Sequence, residues 1–136
     1  MAMLTAAIAN GGNLMKPYFI ESVENYSGEP VKKYMPASFG KLMTAEEAAV
    51  LTEYMTETVL SGTGSKLQNE VYTAAGKTGS AEYSKDKSKS HAWFVGFSNV
   101  AAPDLVVCVI VEGAGAGSEY AVPIAKKMFD AYYVNN

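Results

Sequence analysis

The sequence predicts an α+β domain in which an antiparallel sheet is flanked by helices. Three strand-like segments follow one another at residues 71–83, 91–99 and 104–112, and the short connections between them are typical of antiparallel neighbours. Segments with apolar residues at helical spacing precede and follow these strands. A chain of 136 residues can build one hydrophobic core, so we expect a single domain over residues 1–136.

The first segment, residues 1–9, is rich in alanine and is predicted to be a helix that ends at an Asn-Gly-Gly stop signal. Because this helix has no capping residue before it in the sequence, we expect that the chain is a fragment of a longer protein. Residues 17–40 hold three prolines around short strand-like pieces such as residues 18–23. This pattern indicates a small hairpin or an irregular excursion.

Residues 44–62 carry the clearest helical pattern. Thr44 and Glu47 have the spacing of a capping box, in which each side chain accepts a hydrogen bond from the other residue's backbone N–H. The helix is predicted to end at Gly62. Its apolar face is predicted to consist of Ala48, Leu51, Met55 and Val59.

The third strand segment, residues 105–111, is apolar on both faces and is therefore predicted to lie in the middle of the sheet, covered by helices on both sides. Its Cys108 is the single cysteine of the chain and is predicted to be buried, because reactive thiols need an electropositive and partly open setting.

The last helix is predicted over residues 118–134, with Pro123 tolerated near its start. Its apolar stripe is predicted to consist of Ala121, Ile124, Met128 and Ala131.

Composition excludes several classes of function. The net charge of -3 and a basic run confined to residues 85–89 give no support for nucleic-acid binding. The single histidine, His91, excludes metal sites and catalytic triads that need several histidines, and we expect neither a metal nor a cofactor. No apolar run reaches the roughly 20 residues that span a bilayer, so we expect this chain to be soluble.

Residues 75–82 are predicted to form a strand that carries the residues most suited to binding a ligand. In a strand, Thr78 and Ser80 point to one face and Lys77 to the other, while Gly79 has no Cβ and allows a ligand to approach the backbone closely. Two hydroxyls and a cation within reach of the same edge can bind a carboxylate through hydrogen bonds worth roughly 1.5 to 3 kcal/mol each. These four residues are therefore the predicted binding site, and a peptide C-terminus is one suitable ligand.

Two nucleotide-binding motifs fail at required positions. A phosphate-binding loop that ends in Gly76-Lys77-Thr78 would need glycine where Val71 stands. The glycine-rich turn at residues 113–118 would need glycine where Ser118 stands to form a dinucleotide fingerprint. We interpret the second segment as a flexible turn between strand and helix.

Serine and lysine occur at S-x-x-K spacing twice, at residues 38–41 and 84–87. Such a pair acts as nucleophile and base when both residues lie on successive turns of a buried helix. Gly40 interrupts the first match, and the second lies in a hydrophilic loop. We interpret both as coincidences, and no S-x-N sequence occurs in the chain.

Five segments, in this order and at this spacing, resemble the last part of the transpeptidase domain of class B penicillin-binding proteins. They are Ala6-Ala7-Ile8-Ala9-Asn10-Gly11-Gly12, Ser61-Gly62-Thr63-Gly64, Lys77-Thr78-Gly79-Ser80, His91-Ala92-Trp93-Phe94-Val95-Gly96-Phe97 and Ala121-Val122-Pro123-Ile124-Ala125. The resemblance covers nearly the whole chain and implies part of the β-lactamase-like fold of that family.

The resemblance also implies an activity. The parent protein would be a peptidoglycan D,D-transpeptidase that attacks the terminal D-Ala-D-Ala of a stem peptide, forms an acyl-serine intermediate and binds β-lactams as substrate mimics. Lys77, Thr78 and Ser80 would hold the ligand carboxylate, the Ser80 amide would supply one oxyanion donor, and Gly79 would permit close approach.

The chain departs from the family pattern because it contains neither the S-x-x-K helix nor the S-x-N loop. We therefore expect no catalytic nucleophile or base in this chain, no activity of the chain alone and no covalent penicillin adduct. The remainder of the transpeptidase domain is the expected partner, and the parent is expected outside the cytoplasmic membrane on an N-terminal anchor. The alternatives are a non-catalytic binding or self-association module, and a β-lactam sensor or β-lactamase of the same superfamily.

Overall fold

The computed structural model describes residues 1–86 and 89–133, which form three α-helices and three small or medium antiparallel sheets. The helices are α1 (Ala2–Ala9), α2 (Ala45–Leu60) and α3 (Gly117–Tyr133). The strands are β1 (Asn13–Met15), β2 (Ser22–Glu24), β3 (Pro30–Lys33), β4 (Ser38–Lys41), β5 (Ala74–Glu82), β6 (Ser90–Ser98) and β7 (Leu105–Val111). A short 3-10 helix, Ser65–Leu67, follows α2. The predicted α+β class is confirmed.

The main sheet has the strand order β5-β6-β7, and both pairs are antiparallel. This confirms the three predicted strands and their short connections. The prediction that β7 lies in the middle of the sheet is wrong, because β6 occupies that place and β7 is an edge strand. Each strand pairs with the strand next to it in the sequence, so β6, the second of the three, lies at the centre of the sheet.

Helix α3 covers one face of this sheet. The core on that side is built from large side chains with little or no exposed surface: Phe94, Val107, Val109, Val122 and Phe129. A smaller cluster covers part of the opposite face, where Met55 of α2 packs with Ala75 and Phe97, and Ile8 of α1 joins them. The site strand β5 is therefore supported from both faces.

Cys108 is exposed, which contradicts its predicted burial. Val107 and Val109 are buried against α3, so the alternating Cys108 and Ile110 point to the opposite face. On that face the cluster next to α1 extends along β7 only to Val106, and Ile110 is 45% exposed. Strand β7 thus has apolar residues on both faces, but within the described residues only the face toward α3 is covered along its length.

Helix α2 begins as predicted. Thr44 Oγ1 accepts a hydrogen bond from the Glu47 amide at 3.1 Å, and Glu47 Oε2 accepts one from the Thr44 amide at 2.8 Å. Three residues of the predicted apolar face are buried, namely Ala48, Met55 and Val59. The fourth, Leu51, is exposed.

The predicted apolar stripe of α3 is largely wrong. Ala121 is buried, but Ile124 and Met128 are 41% and 47% exposed, and Ala131 is exposed too. The buried face of α3 also includes Val122, Ala125 and Phe129. These residues are buried because they face the large side chains of the main sheet. The helix passes through Pro123 without a break, and the predicted last residue, Val134, lies outside the described residues.

The N-terminal third confirms the predicted helix and hairpin. Helix α1 ends at Ala9, and the amide of the next residue, Asn10, donates to the Ala6 carbonyl at 3.0 Å. Strand β1 pairs with β4, and β2 pairs with β3. Residues 18–21, predicted as part of a strand, are outside any strand, and β2 starts only at Ser22. Phe19 is fully exposed, so this apolar run has no neighbouring strand to pack against, and strand preference depends on such packing.

Candidate functional site

The four predicted binding residues lie together on β5, at one edge of the main sheet. Gly79 pairs with Trp93 and Thr78 with Phe94 of β6, which occupies the inner side of β5. Residues directly paired across strands share a face, so Thr78 and Ser80 project on the face of Phe94, and Lys77 on the face of Val95. Lys77 and Ser80 are exposed, and Thr78 is half-buried.

An open depression with a volume of about 410 Å³ runs along this edge. It is lined by Met1, Lys77, Thr78, Gly79, Ser80, Ala81, Trp93 and Val95. A few polar groups set among apolar walls are the usual composition of a small-ligand site. The depression therefore brings the four predicted residues to one surface.

The Lys77 ammonium group folds back over its own strand and donates a hydrogen bond to the Thr78 carbonyl at 2.8 Å. An ammonium group has three donors, so this bond leaves the group able to contact a ligand as well. The side chain that carries this cation is part of the lining of the depression.

Gly117, the first residue of α3, presses against the middle of β5. A Cβ atom at this position would stand 2.3 Å from the Trp93 carbonyl oxygen and 2.6 Å from the Gly79 carbonyl oxygen. The sequence interpretation of residues 113–118 as a flexible turn missed this contact. Its only signal is a glycine at the start of a helix, where a capping side chain is more usual.

Thr63 also contacts the site. Its Oγ1 lies 2.6 Å from Thr78 Oγ1, and either hydroxyl could be the donor. Thr63 stands in the short turn between α2 and the 3-10 helix, flanked by Gly62 and Gly64. In the sequence, this turn is recognisable only through the family resemblance, and no pattern there predicts a role for the threonine.

The first S-x-x-K match does not form a nucleophile and base pair. Ser38 and Lys41 are the two ends of β4, and residues three apart in a strand point to opposite faces. Ser38 Oγ instead contacts Asn13 Oδ1 at 2.6 Å. The lysine of the second match, Lys87, lies outside the described residues.

His91 is held by two neighbours near the end of β6. Its ring stacks on Tyr83 with a centroid distance of 4.4 Å, and its Nδ1 accepts a hydrogen bond from the Gly113 amide at 3.0 Å. These contacts fix the strand ends beside the depression. In residues 1–86 and 89–133, no three His, Cys, Asp or Glu side chains cluster so that they could hold a metal ion.

Asp130 has a perturbed pKa and lies away from β5. Burial raises the pKa of Asp130, but hydrogen bonds from Tyr72, Lys126 and Asn69 and the Lys126 charge together hold the pKa below its ordinary value. The carboxylate accepts from Tyr72 at 2.8 Å, from Asn69 at 3.2 Å and from Lys126 at 3.0 Å. Asp130 is 13 residues beyond Gly117 in α3, or about 20 Å along the helix, so this network is structural.

Two tyrosines on the same side of the protein titrate above their usual range. Burial and the bond to Asp130 raise the pKa of Tyr72, and burial and Asp104 raise the pKa of Tyr133 to about 12. The Tyr133 hydroxyl also lies 2.6 Å from Ser98 Oγ. These groups tie α3 to the sheet.

Comparison with protein families finds one model that matches residues 1–130, described as the penicillin binding protein transpeptidase domain. Among curated relatives, the peptidoglycan D,D-transpeptidase MrdA of Haemophilus influenzae is 32% identical, over 99% of this chain and 23% of the relative. The peptidoglycan D,D-transpeptidase PbpA of Mycolicibacterium smegmatis is 31% identical, over 92% of this chain and 27% of the relative. The chain thus spans about a quarter of the length of these relatives.

Solved structures agree with the sequence relatives. A ceftriaxone acyl-enzyme complex of penicillin-binding protein A from Mycobacterium tuberculosis superposes with a TM-score of 0.83 at 31% identity, and the match covers 96% of this chain and 31% of that one. The D,D-transpeptidase domain of a peptidoglycan glycosyltransferase from Eggerthella lenta gives a TM-score of 0.83 at 29% identity, with 96% and 31% covered. In the part of the chain that the structure describes, no helix combines the length and apolar character needed to cross a bilayer.

Proposed function

The chain belongs to the penicillin-binding protein transpeptidase family, and from this premise we propose that it forms the carboxylate-binding side of a peptidoglycan D,D-transpeptidase site. The ligands are the D-Ala-D-Ala end of a stem peptide and the β-lactams that mimic it. The names of the relatives support the reaction, and the acyl-enzyme complex of a structural neighbour supports the β-lactam.

One observation carries the proposal: Lys77, Thr78, Gly79 and Ser80 all line the depression at the edge of the main sheet, and the Lys77 ammonium donates to the Thr78 carbonyl there. A carboxylate offers only acceptors, whereas the Lys77 ammonium offers three donors and the Thr78 and Ser80 hydroxyls offer one donor each. The edge can also hold an extended peptide, because a strand edge presents backbone groups to an added strand.

The residues have distinct roles in this proposal. Lys77, Thr78 and Ser80 bind the carboxylate, and Gly79 lets the ligand lie against the backbone. The Ser80 amide is one donor to the oxyanion of the tetrahedral intermediate, a role whose loss costs on the order of 3 to 4 kcal/mol in other acyl-transfer enzymes.

The nucleophilic serine and its lysine base belong to the remainder of the transpeptidase domain, of which residues 1–136 form the C-terminal part. That remainder is the partner of this chain. We place the parent in the cell envelope, with the domain outside the cytoplasmic membrane on an N-terminal anchor.

Labelling with a fluorescent penicillin tests the proposal. The intact protein should become covalently labelled and the 136-residue chain alone should not, because removing the nucleophile of a serine acyl-transfer enzyme costs about 10⁶ in turnover. Peptide mapping of the labelled protein should find the adduct outside residues 1–136. Stoichiometric acylation of the isolated chain at Ser38 or Ser84 would contradict the assignment.

A second candidate function is self-association of the isolated chain. Met1, which precedes α1, and Leu4 of α1 are 64% and 45% exposed. With Leu51 and Tyr54 of α2 they line a groove with a volume of about 380 Å³. Exposed apolar patches of several hundred Å² tend to associate. Light scattering decides: a folded chain that stays monomeric at high concentration would exclude this function.

A further inference from the structure

The turn after α2 holds Thr63 in a fixed position. The amides of Gly62 and Gly64 both donate to the Thr58 carbonyl, at 3.1 and 3.0 Å. A Cβ at Gly62 would stand 2.9 Å from that oxygen, and one at Gly64 would stand 3.2 Å from it and 3.3 Å from Val59 Cγ2. A side chain at position 62 would therefore force the turn to change shape, and one at position 64 would require its neighbours to shift by a few tenths of an ångström.

The turn is anchored at both ends. Val59 before it and Leu67 after it are 3% and 0% exposed and belong to the main core. A short turn between two core side chains has little freedom to move, so the exposed Thr63 is presented to β5 by a rigid support. Its hydroxyl meets the Thr78 hydroxyl at 2.6 Å.

The chemistry of the two hydroxyls gives their contact a direction. Each hydroxyl has one proton to donate and two lone pairs that accept. A carboxylate can only accept, so the Thr78 hydroxyl must donate its proton to a bound carboxylate. In its contact with Thr63 it can then only accept, and Thr63 must be the donor. Hydrogen bonds linked in this way polarise and strengthen one another.

We propose that Thr63 is a positioning residue that donates to Thr78 and thereby commits the Thr78 proton to the carboxylate of the ligand. This inference rests on the proposed function and extends it to a residue outside β5. Thr63 acts through Thr78 and needs no contact with the ligand. It selects for ligands that carry a carboxylate and is indifferent to those whose carboxyl group is esterified.

The test uses the purified intact protein and two ligands, benzylpenicillin and its methyl ester, with the second-order rate constant of acylation as the readout. Thr63→Val removes the hydroxyl and keeps the shape, and should lower the rate with the free acid about tenfold, the size expected when a hydrogen bond to a charged group is weakened. The rate with the ester should change less than about twofold. The ratio of the two rates is the quantity that a merely structural role of Thr63 would leave unchanged.

Two further variants make the result specific. Thr63→Ser keeps the hydroxyl and should retain the preference for the acid. Thr58→Val removes a hydroxyl from the last turn of α2. This hydroxyl donates to the Tyr54 carbonyl at 3.0 Å and not to Thr78, so the variant should leave both rates unchanged.

Each remaining outcome overturns a defined statement. Equal losses with acid and ester in Thr63→Val, or no loss with either, would overturn the inference and leave the proposed function standing. A wild-type protein with no preference for the acid would overturn both the carboxylate site and this inference. A wild-type protein that neither ligand acylates would overturn the proposed function itself.

Discussion

Gly117 at the start of α3 lies against the backbone of Gly79 in β5: a Cβ atom at position 117 would stand 2.6 Å from the Gly79 carbonyl oxygen and 3.1 Å from its nitrogen. Backbone atoms paired in a sheet cannot move aside as a flexible side chain can. The shape of the binding strand is therefore set by the helix behind it, and the end of α3 that contacts β5 is part of the site's support.

We expect Gly117→Ala to destabilise the chain by about 1 to 3 kcal/mol, as other additions of atoms to close-packed positions do. Acylation of the intact protein by penicillin should slow as well, because β5 must bend or α3 must shift. Urea unfolding and the acylation rate measure the two effects. Ser118→Ala adds no atoms one residue further along the helix and should change neither.

Removal of the Lys77 charge should weaken carboxylate binding. Lys77→Met keeps most of the side chain's length and should lower the rate of penicillin acylation in the intact protein roughly 10- to 100-fold, because hydrogen bonds to charged groups are worth about 1.5 to 3 kcal/mol. Lys66→Met is the matched control, since Lys66 Nζ donates to the Ser118 carbonyl at 3.4 Å and Lys66 does not line the depression. Equal losses in both variants would mean that overall charge, and not the site, is responsible.

The stability of the chain should fall on the acid side because of Asp130. Its pKa in the folded state lies below the ordinary value of 3.8, so folding favours the carboxylate. The resulting stabilisation is complete above about pH 5 and is lost as the pH falls through the ordinary value and then the folded-state pKa. Urea unfolding of Asp130→Asn should therefore show a smaller loss of stability between about pH 5 and pH 3 than the wild type.

A control for that experiment is Glu53→Gln, which removes one exposed carboxylate of α2 and keeps the Asp130 network. Its profile should follow the wild type. If Asp130→Asn and the wild type lose stability in parallel below pH 4, the network does not favour the ionised form.

The capping box of α2 should be measurable by itself. Thr44→Ala removes the bond to the Glu47 amide and should destabilise the chain by about 1 kcal/mol, while Thr44→Ser keeps the hydroxyl and should lose only a few tenths of that. Thermal or urea unfolding of the two variants gives the comparison. A Thr44→Ala variant as stable as the wild type would show that tertiary packing alone fixes the start of α2.

Features with local causes could be predicted from the sequence. Helix α2 is specified by Thr44, Glu47 and the spacing of its apolar residues, all within 16 residues of one another, and the structure matches that prediction at both ends. Strand β5 could be predicted too, because its residue pattern and its flanking turns are local. The grouping of Lys77 to Ser80 on one edge then follows from strand geometry.

Features that depend on contacts between segments far apart in the sequence could not be predicted. The place of β7 at the edge depends on which strands pair, and the exposure of Cys108 depends on how far α1 reaches across the sheet. The buried face of α3 depends on the large side chains that the sheet presents to Phe129. For the same reason, the contact between Thr63 and Thr78, 15 residues apart, has no signal in the sequence beyond two glycines beside a threonine.

The hairpin formed by β2 and β3 is a suitable place to attach a label to this protein. Its turn is closed by local bonds, with the Asn25 amide donating to the Glu29 carbonyl at 2.9 Å, and Tyr26 at its tip is fully exposed. Gly28 has a positive φ and open space around it. A fluorophore or affinity tag attached at Tyr26 would report on the protein without disturbing the strand that binds the carboxylate.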